Sequence, residues 1–346
     1  MLRGETRATA AYDGVILGRM SEPGDSSGRT VRPIRYVDGE PHPDDLAGIT
    51  RVMLACDAAV IDVVDRTPSD VLGMLRMPSM DREASLVVLD GDEIVGLLWV
   101  EKDPFEKVTY VNAFSVPWPG SREIRELCFD RGVEAARRHG REAGEPGWKV
   151  RSGAHVEDSH YLELMAEKGF APVRRWYRMR IESSSPHIPA EMPPLPDGVA
   201  IVAGGGEDFR RTVHAVDHEA FAEHWGFADY PYDDWWQYWS AQPSFDIEDW
   251  WLLTVEGAPA AVCLLEENRA ENAEGYVGVL GVLKPYRGRG LAQLLLRRAF
   301  VHYRERGRDA TLLSVDASNE TGAVALYERV GMSAVLVMET REVTLA

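Results

Sequence analysis

The chain has 346 residues, 45% of them hydrophobic and 27% charged, which suits a folded protein of about two domains. Its 38 basic and 56 acidic residues leave a net charge of −18. That sign repels nucleic acid and anionic membrane, so neither is an expected partner; it suits a cationic or amine ligand, and equally plain solubility. Cys56, Cys128 and Cys263 are odd in number, far apart and without a Cys-x-x-Cys pair, so a reduced cytoplasm is expected rather than a disulfide framework or zinc site. No apolar run approaches the roughly 18 residues that cross a bilayer, and the N-terminus lacks a signal-peptide core.

Residues 1–30, rich in Gly, Ser, Arg and Thr, read as a loose extension, with Met20 an alternative start. From 31 to 182 the periodicity predicts a strand (31–34), two helices (44–60, 68–76), a hairpin (86–89, 94–100) turning on Asp90-Gly91-Asp92-Glu93, and a strand (108–116). A helix (122–139), strand (150–155), helix (159–168) and strand (176–181) follow. Residues 183–198 carry five prolines and three serines with residue 182 at their head; they cannot continue a helix or central strand and read as a linker. The rest, 199–346, gives a strand (199–203), a helix (209–225) with Val213, Val216, Ala220 and Phe221 on one face, and an aromatic helix (232–241). Then come a hairpin (251–255, 260–265), a strand (276–283), a helix (291–306) stopped by Gly307, a strand (311–315), a helix (320–330) ending at Gly331 and a strand (335–338). Both halves read β-α-α-β-β-β-α-β-α-β, which suggests duplication.

The strand at 276–283 runs through Lys284-Pro285-Tyr286 into Arg287-Gly288-Arg289-Gly290-Leu291-Ala292, where a helix starts. Glycines let a backbone approach an anion, and the amides of a positively polarised helix start make a pyrophosphate site. Neither the dinucleotide-binding Gly-x-Gly-x-x-Gly nor the Gly-Lys-Ser/Thr of a P-loop is present; the alternative is a plain Gly-rich turn.

The segment resembles the Gln/Arg-x-x-Gly-x-Gly/Ala signature of the GNAT superfamily of N-acetyltransferases. Residues 199–343 extend the likeness, with Asn319 and Ala325-Leu326-Tyr327-Glu328-Arg329-Val330-Gly331-Met332 similar to a second family motif. The doubling is similar to the tandem mycothiol-synthase branch. The resemblance implies an α/β (α+β) fold of two tandem domains, each a mixed, mostly antiparallel sheet flanked by helices, with the second catalytic. It also implies acetyl-CoA or another acyl-CoA as co-substrate. Amides of Gly288, Arg289, Gly290, Leu291 and Ala292, with Arg287 and Asn319, would hold coenzyme A. The strand edge at Leu280, Gly281 and Val282 would pair with pantetheine. Tyr327 would protonate the leaving thiolate, its structural alternative being a core aromatic.

A free amine must lose a proton to attack. The family relative places a glutamate on the fourth strand, where Tyr276 stands here. Glu274, two residues earlier on the same face, and Asp316 are the candidate bases; both are also ordinary solvated acids. Glu223, His224 and Trp225, with Tyr276, are the expected acceptor site, aromatic walls with carboxylates suiting an amine, although ordinary packing reads the same. His214 and His218 lack a third ligand, so no metal is expected. The first half has Val116-Pro117-Trp118-Pro119-Gly120 where the phosphate turn belongs, and Met165 opposite Tyr327; it is expected to be catalytically silent. The expectation is transfer of an acyl group from coenzyme A to a small-molecule amine in a ternary complex. A longer acyl group or carrier-protein thioester, and a non-catalytic acyl-CoA-binding protein, are the alternatives. Oligomeric state is not legible.

Overall fold

The computed structural model describes residues 28–61, 66–117, 120–242, 245–318 and 322–345. The expected extension, Met20 and Asn319 fall, wholly or almost wholly, outside the described residues.

The first half contains β1 (Arg29–Pro33), a small β2–β3 hairpin (Tyr36–Val37, Glu40–Pro41), helices α1 (Pro43–Ala58) and α2 (Pro68–Arg76), and β4 (Leu86–Asp90). It continues with β5 (Glu93–Asp103), β6 (Val108–Ser115), α3 (Ser121–Ala143), β7 (Lys149–His155), α4 (Ser159–Glu167) and β8 (Ala171–Glu182). The second half contains β9 (Val199–Ala203), α5 (Glu207–Phe221), α6 (Tyr232–Ser240), β10 (Trp250–Val255), β11 (Ala258–Glu266) and β12 (Glu274–Val282). It ends with α7 (Leu291–Glu305), β13 (Ala310–Asp316), α8 (Ala323–Arg329) and β14 (Ser333–Thr344). Local chemistry explains the starts. Thr67 and Asp70 form a reciprocal capping box over α2 with Pro68 in its first turn. α7 starts from Gly290 in the left-handed region and buries Leu291, Leu295, Leu296, Ala299, Phe300 and Tyr303.

Twelve of the described strands form one sheet, ordered β1-β4-β5-β6-β7-β14-β8-β13-β12-β11-β10-β9. Two neighbouring pairs are parallel, β6–β7 and β12–β13; each is joined for three residues only and then splays. At the centre the halves exchange strands. β8 ends the first half yet pairs with β13 of the second, and β14 ends the second yet pairs with β7 of the first. Both are 12 residues long, well beyond the 176–181 and 335–338 expected, because each must reach across two neighbours. The two lie antiparallel at the middle of the sheet, so the halves share one hydrogen-bonded ladder.

Loops interlock the halves reciprocally. The Thr67 hydroxyl of the first half donates to the Asn268 carbonyl (3.1 Å), and Arg269 faces Asp70 at 3.6 Å. In return, Tyr230 of the second half donates its hydroxyl to Asp103 and packs edge-on against Phe105 at 5.1 Å. The linker region lies along α7: Ile188 is buried, Arg298 donates to the Pro193 carbonyl, and Arg304 to that of Ala190 (2.8 Å).

Candidate active site

The donor side is built by β12 and the turn that follows it. β12 leaves β13 after the Tyr276–Leu312 pair, so its outer edge from Val277 to Val282 has no strand partner on that side. Gly278 is skipped in the ladder to β11, where Leu264 pairs with Val279 and Leu265 with Val277. The result is a β-bulge at the mouth of the splay. Gly288 and Gly290 both have positive φ (76° and 77°), and a Cβ added to either would meet open space. Leu294 is the first residue whose amide bonds back into the turn, to Gly290. Among the described residues, the amides of Gly288, Arg289, Gly290, Leu291, Ala292 and Gln293 have no backbone acceptor. This unsatisfied run at a helix start fits a pyrophosphate. Arg287 is partly committed to the fold, since it donates to the Val282 and Ala220 carbonyls at 3.0 and 3.1 Å.

Tyr327 lies on α8 in the core, with Cys263 and Tyr276 near enough to act on it; burial is the main cause that pushes its phenol up to about 12. Met332 bonds back to the Tyr327 carbonyl as Phe170 bonds back to that of Met165. The two helices are therefore structurally equivalent, with Met165 opposite Tyr327 and Tyr161 opposite Ala323.

The expected acids fall differently. Glu274 is buried between guanidinium groups, one carboxylate oxygen held by Arg180 and the other by Arg269 at 2.8–2.9 Å. Its oxygens already have cationic partners, which leaves little capacity for an incoming ammonium. Asp316 sits at the end of β13, accepting from the Ser318 amide at 2.8 Å and facing Arg174 at 3.5 Å. The expected acceptor trio is dispersed. Glu223 is exposed and pairs with Lys284 (3.0 Å), which precedes the glycine turn. His224 packs edge-on against Phe221 at 4.6 Å, and burial lowers its pKa, with Arg287 adding to the effect. Trp225 is wedged between the Arg151 and Arg174 guanidiniums at 4.1 and 5.0 Å, where it joins the halves instead of lining an open site.

The sequence reading missed what surrounds Tyr276. Its cross-strand partner is Glu266, the last residue of β11. The buried Tyr303 hydroxyl accepts from the Glu266 amide (3.0 Å) and lies 2.7 Å from the Tyr276 carbonyl, fixing the two strands together there. Beside α5 and α6 a cavity of about 1000 Å³ opens between the halves. Glu101, Asp103, Asp217, Trp235 and Tyr238 are among its lining, and acids outnumber Lys and Arg there. Burial pushes Glu101 up to about 7 and Asp217 up to about 6. Tyr238, a partly exposed lining residue, is within electrostatic reach of Glu266, Glu101 and Tyr276. Phe221 lines the cavity and also lies 3.1 Å from where a Cβ on Gly281 would stand. Among the described residues no group of three or more His, Cys, Asp or Glu is placed to hold a metal, and no helix is long and apolar enough to cross a membrane.

A splayed parallel pair with a bulge, an unsatisfied glycine turn and a buried tyrosine is the layout of an acyl-CoA-dependent transferase. The profile of the Acetyltransferase (GNAT) family matches residues 211–332. The mycothiol acetyltransferase of Thermobispora bispora is 30% identical over 81% of this chain and 90% of its own length. That of Actinosynnema mirum is 33% identical over 55% of this chain and 62% of its own. A GCN5-related N-acetyltransferase from Sphaerobacter thermophilus superposes with a TM-score of 0.74 at 24% identity, covering 94% of this chain and 97% of that one. A tandem GNAT protein from the clavulanic acid biosynthesis pathway superposes at 0.69 with 15% identity, covering 91% and 98%. The chain belongs to the GNAT acetyltransferase family, in its tandem form, and is an acyl-CoA-dependent N-acyltransferase.

Proposed function

We propose that the second half carries the reaction, moving an acetyl group from acetyl-CoA to the amine of a small, cationic molecule held in the cavity between the halves. The single observation that carries this reading is the continuity of two features. An open amide turn and bulged splay follow Tyr276, and Tyr238, which is within electrostatic reach of Tyr276, lines an acidic, aromatic cavity between the halves. Its volume suits a small ligand, and aromatic faces with carboxylates suit a cation.

In the proposed reaction the pyrophosphate sits on the amides of residues 288–292, and pantetheine runs along the β12 edge at Leu280, Gly281 and Val282. The thioester then reaches the bulge. The amine lone pair attacks the carbonyl carbon, the C–S bond breaks, and nitrogen's proton is balanced by the one the thiolate gains. Tyr327 is a phenol at neutral pH, and burial pushes its pKa further from that range. With its pKa near 12 against about 8.5 for a thiol, full transfer runs uphill by roughly 4–5 kcal/mol. Its role is therefore to donate a hydrogen bond to the developing thiolate, which takes its proton as the tetrahedral nitrogen loses one. Glu274 in this reading holds β8 to β12, and the first half supplies acceptor contacts without binding the donor. The donor thioester and the free cysteines Cys56, Cys128 and Cys263 support a cytoplasmic reaction.

Release of free coenzyme A thiol from acetyl-CoA, with primary amines of graded size, tests the proposal. The full chain is expected to turn over with cationic amines. Tyr327→Phe is expected to lower kcat by about 100-fold with little change in the KM for acetyl-CoA. Unchanged kcat in that variant removes Tyr327 from the reaction.

A further inference from the structure

Glu266 stands out among the carboxylates near the splay, and four observations converge on it. It is the ladder partner of Tyr276, which is the last residue of β12 joined to β13 before the splay opens. Its side chain lies over the bulge residue: a Cβ added at Gly278 would fall inside the Glu266 carboxylate. Glycine at the bulge thus lets the carboxylate reach the mouth of the splay. Its backbone is fixed there by the buried Tyr303 hydroxyl, whose ring also packs where a side chain on Gly275 would stand. Finally, among the described residues Glu266 makes no ion pair of the kind that engages Glu274; the Asn268 side-chain amide donates to it at 3.3 Å.

We propose that Glu266 takes the proton from the acceptor ammonium. This rests on the transferase reading above and supplies the base that reading lacks. The carboxylate removes one proton from R–NH3+, leaving the free amine to attack; the protonated acid returns that proton to solvent. The second nitrogen proton leaves the tetrahedral intermediate for the thiolate, so charge and atoms balance. The surroundings support a proton acceptor. Burial and the like charge of Asp70 push the carboxyl up to about 7, against the attraction of Arg178. The buried Tyr303 and the more exposed Tyr238 are also within electrostatic reach of it, both as neutral phenols. A base of that strength is matched to neutral pH.

The first half repeats the pair. Glu101 opposes Tyr110, which is likewise the last residue before its own splay, and Glu101 lines the cavity. The duplicated carboxylate thus lies on the acceptor side, where it can hold a second positive charge.

The test uses the full chain with acetyl-CoA and ethanolamine, histamine or putrescine as probe amines, and follows kcat/KM against pH. The wild type is expected to lose activity below about pH 7. Glu266→Gln is expected to lower kcat/KM about 100-fold at neutral pH, to recover toward wild type at alkaline pH where the amine is already free, and to bind acetyl-CoA unchanged. Glu266→Asp should retain part of the acidic limb. A Glu266→Gln chain with the wild-type rate and pH profile overturns the assignment of the base. A wild-type chain that binds acetyl-CoA but acetylates no amine sinks the transferase reading instead, and the proposal with it.

Discussion

The two splays of the sheet have the same parallel register and opposite contents. In the first half the gap between β6 and β7 is closed by side chains. The Tyr161 hydroxyl accepts from the Ala113 amide at 3.0 Å and lies 3.0 Å from the Ser152 hydroxyl, while the side-chain Oδ1 of Asn112 accepts from the Gly153 amide at 3.1 Å. The β6 edge that a pantetheine arm would use is therefore occupied by the protein itself. In the second half the helical position of Tyr161 is taken by Ala323, the position of Asn112 by glycine with a bulge, and β12 is left open. β6 has no such bulge in its ladder to β5. The two halves share the frame and differ at a few side chains in the splay, and the proposed function assigns the donor to the open copy.

The most drastic way to break that contrast is to move the plug. Ala323→Tyr should lower acetyl-CoA affinity by at least about 100-fold, some 3 kcal/mol, because the ring must occupy the slot. Calorimetric titration, with circular dichroism to establish that the fold persists, checks it; unimpaired binding would mean that Tyr161 does not close the first splay. A smaller effect concerns the repeated carboxylate. Glu101 has its carboxyl pushed up to about 7 by burial, although the hydroxyl of Ser79 donates to it at 2.6 Å. A carboxyl whose folded pKa lies above its unfolded value binds protons more tightly when folded. Its burden is absent below the unfolded value, grows as pH rises, and is complete above the folded value. Glu101→Gln should therefore stabilise the chain by up to about 3 kcal/mol above pH 7 or so, and by almost nothing near pH 4, read from urea unfolding at the two pH values. Equal effects at both would contradict a Glu101 carboxyl that binds its proton more tightly in the folded chain.

Much of the frame was legible in the sequence. α2 was placed at its observed limits, Pro68–Arg76, because Thr67, Pro68 and Asp70 are local signals. The turn at Gly288 and Gly290 and the helix start at Leu291 were legible because glycine and a helix start are also local. The strand exchange was not. β8 and β14 read as strands from their own residues, but nothing in them says which neighbour they pair with, since that is fixed by packing over distances beyond 150 residues in sequence, as between Arg175 and Glu339 at 3.1 Å. Glu274 looked available because its two arginines, Arg180 and Arg269, lie on other elements. Glu266 was missed for the complementary reason: only the hairpin register sets it opposite Tyr276. The signal that reaches it is the repeat itself, since Glu101 and Tyr110 occupy the matching ladder positions.

The central claim is that one splay per chain is open to acyl-CoA. Isothermal titration of the full chain with acetyl-CoA tests it most directly. One molecule bound per chain, with binding abolished by Gly290→Glu in a folded protein, is the predicted result; two molecules per chain, or one that survives Gly290→Glu, would contradict it.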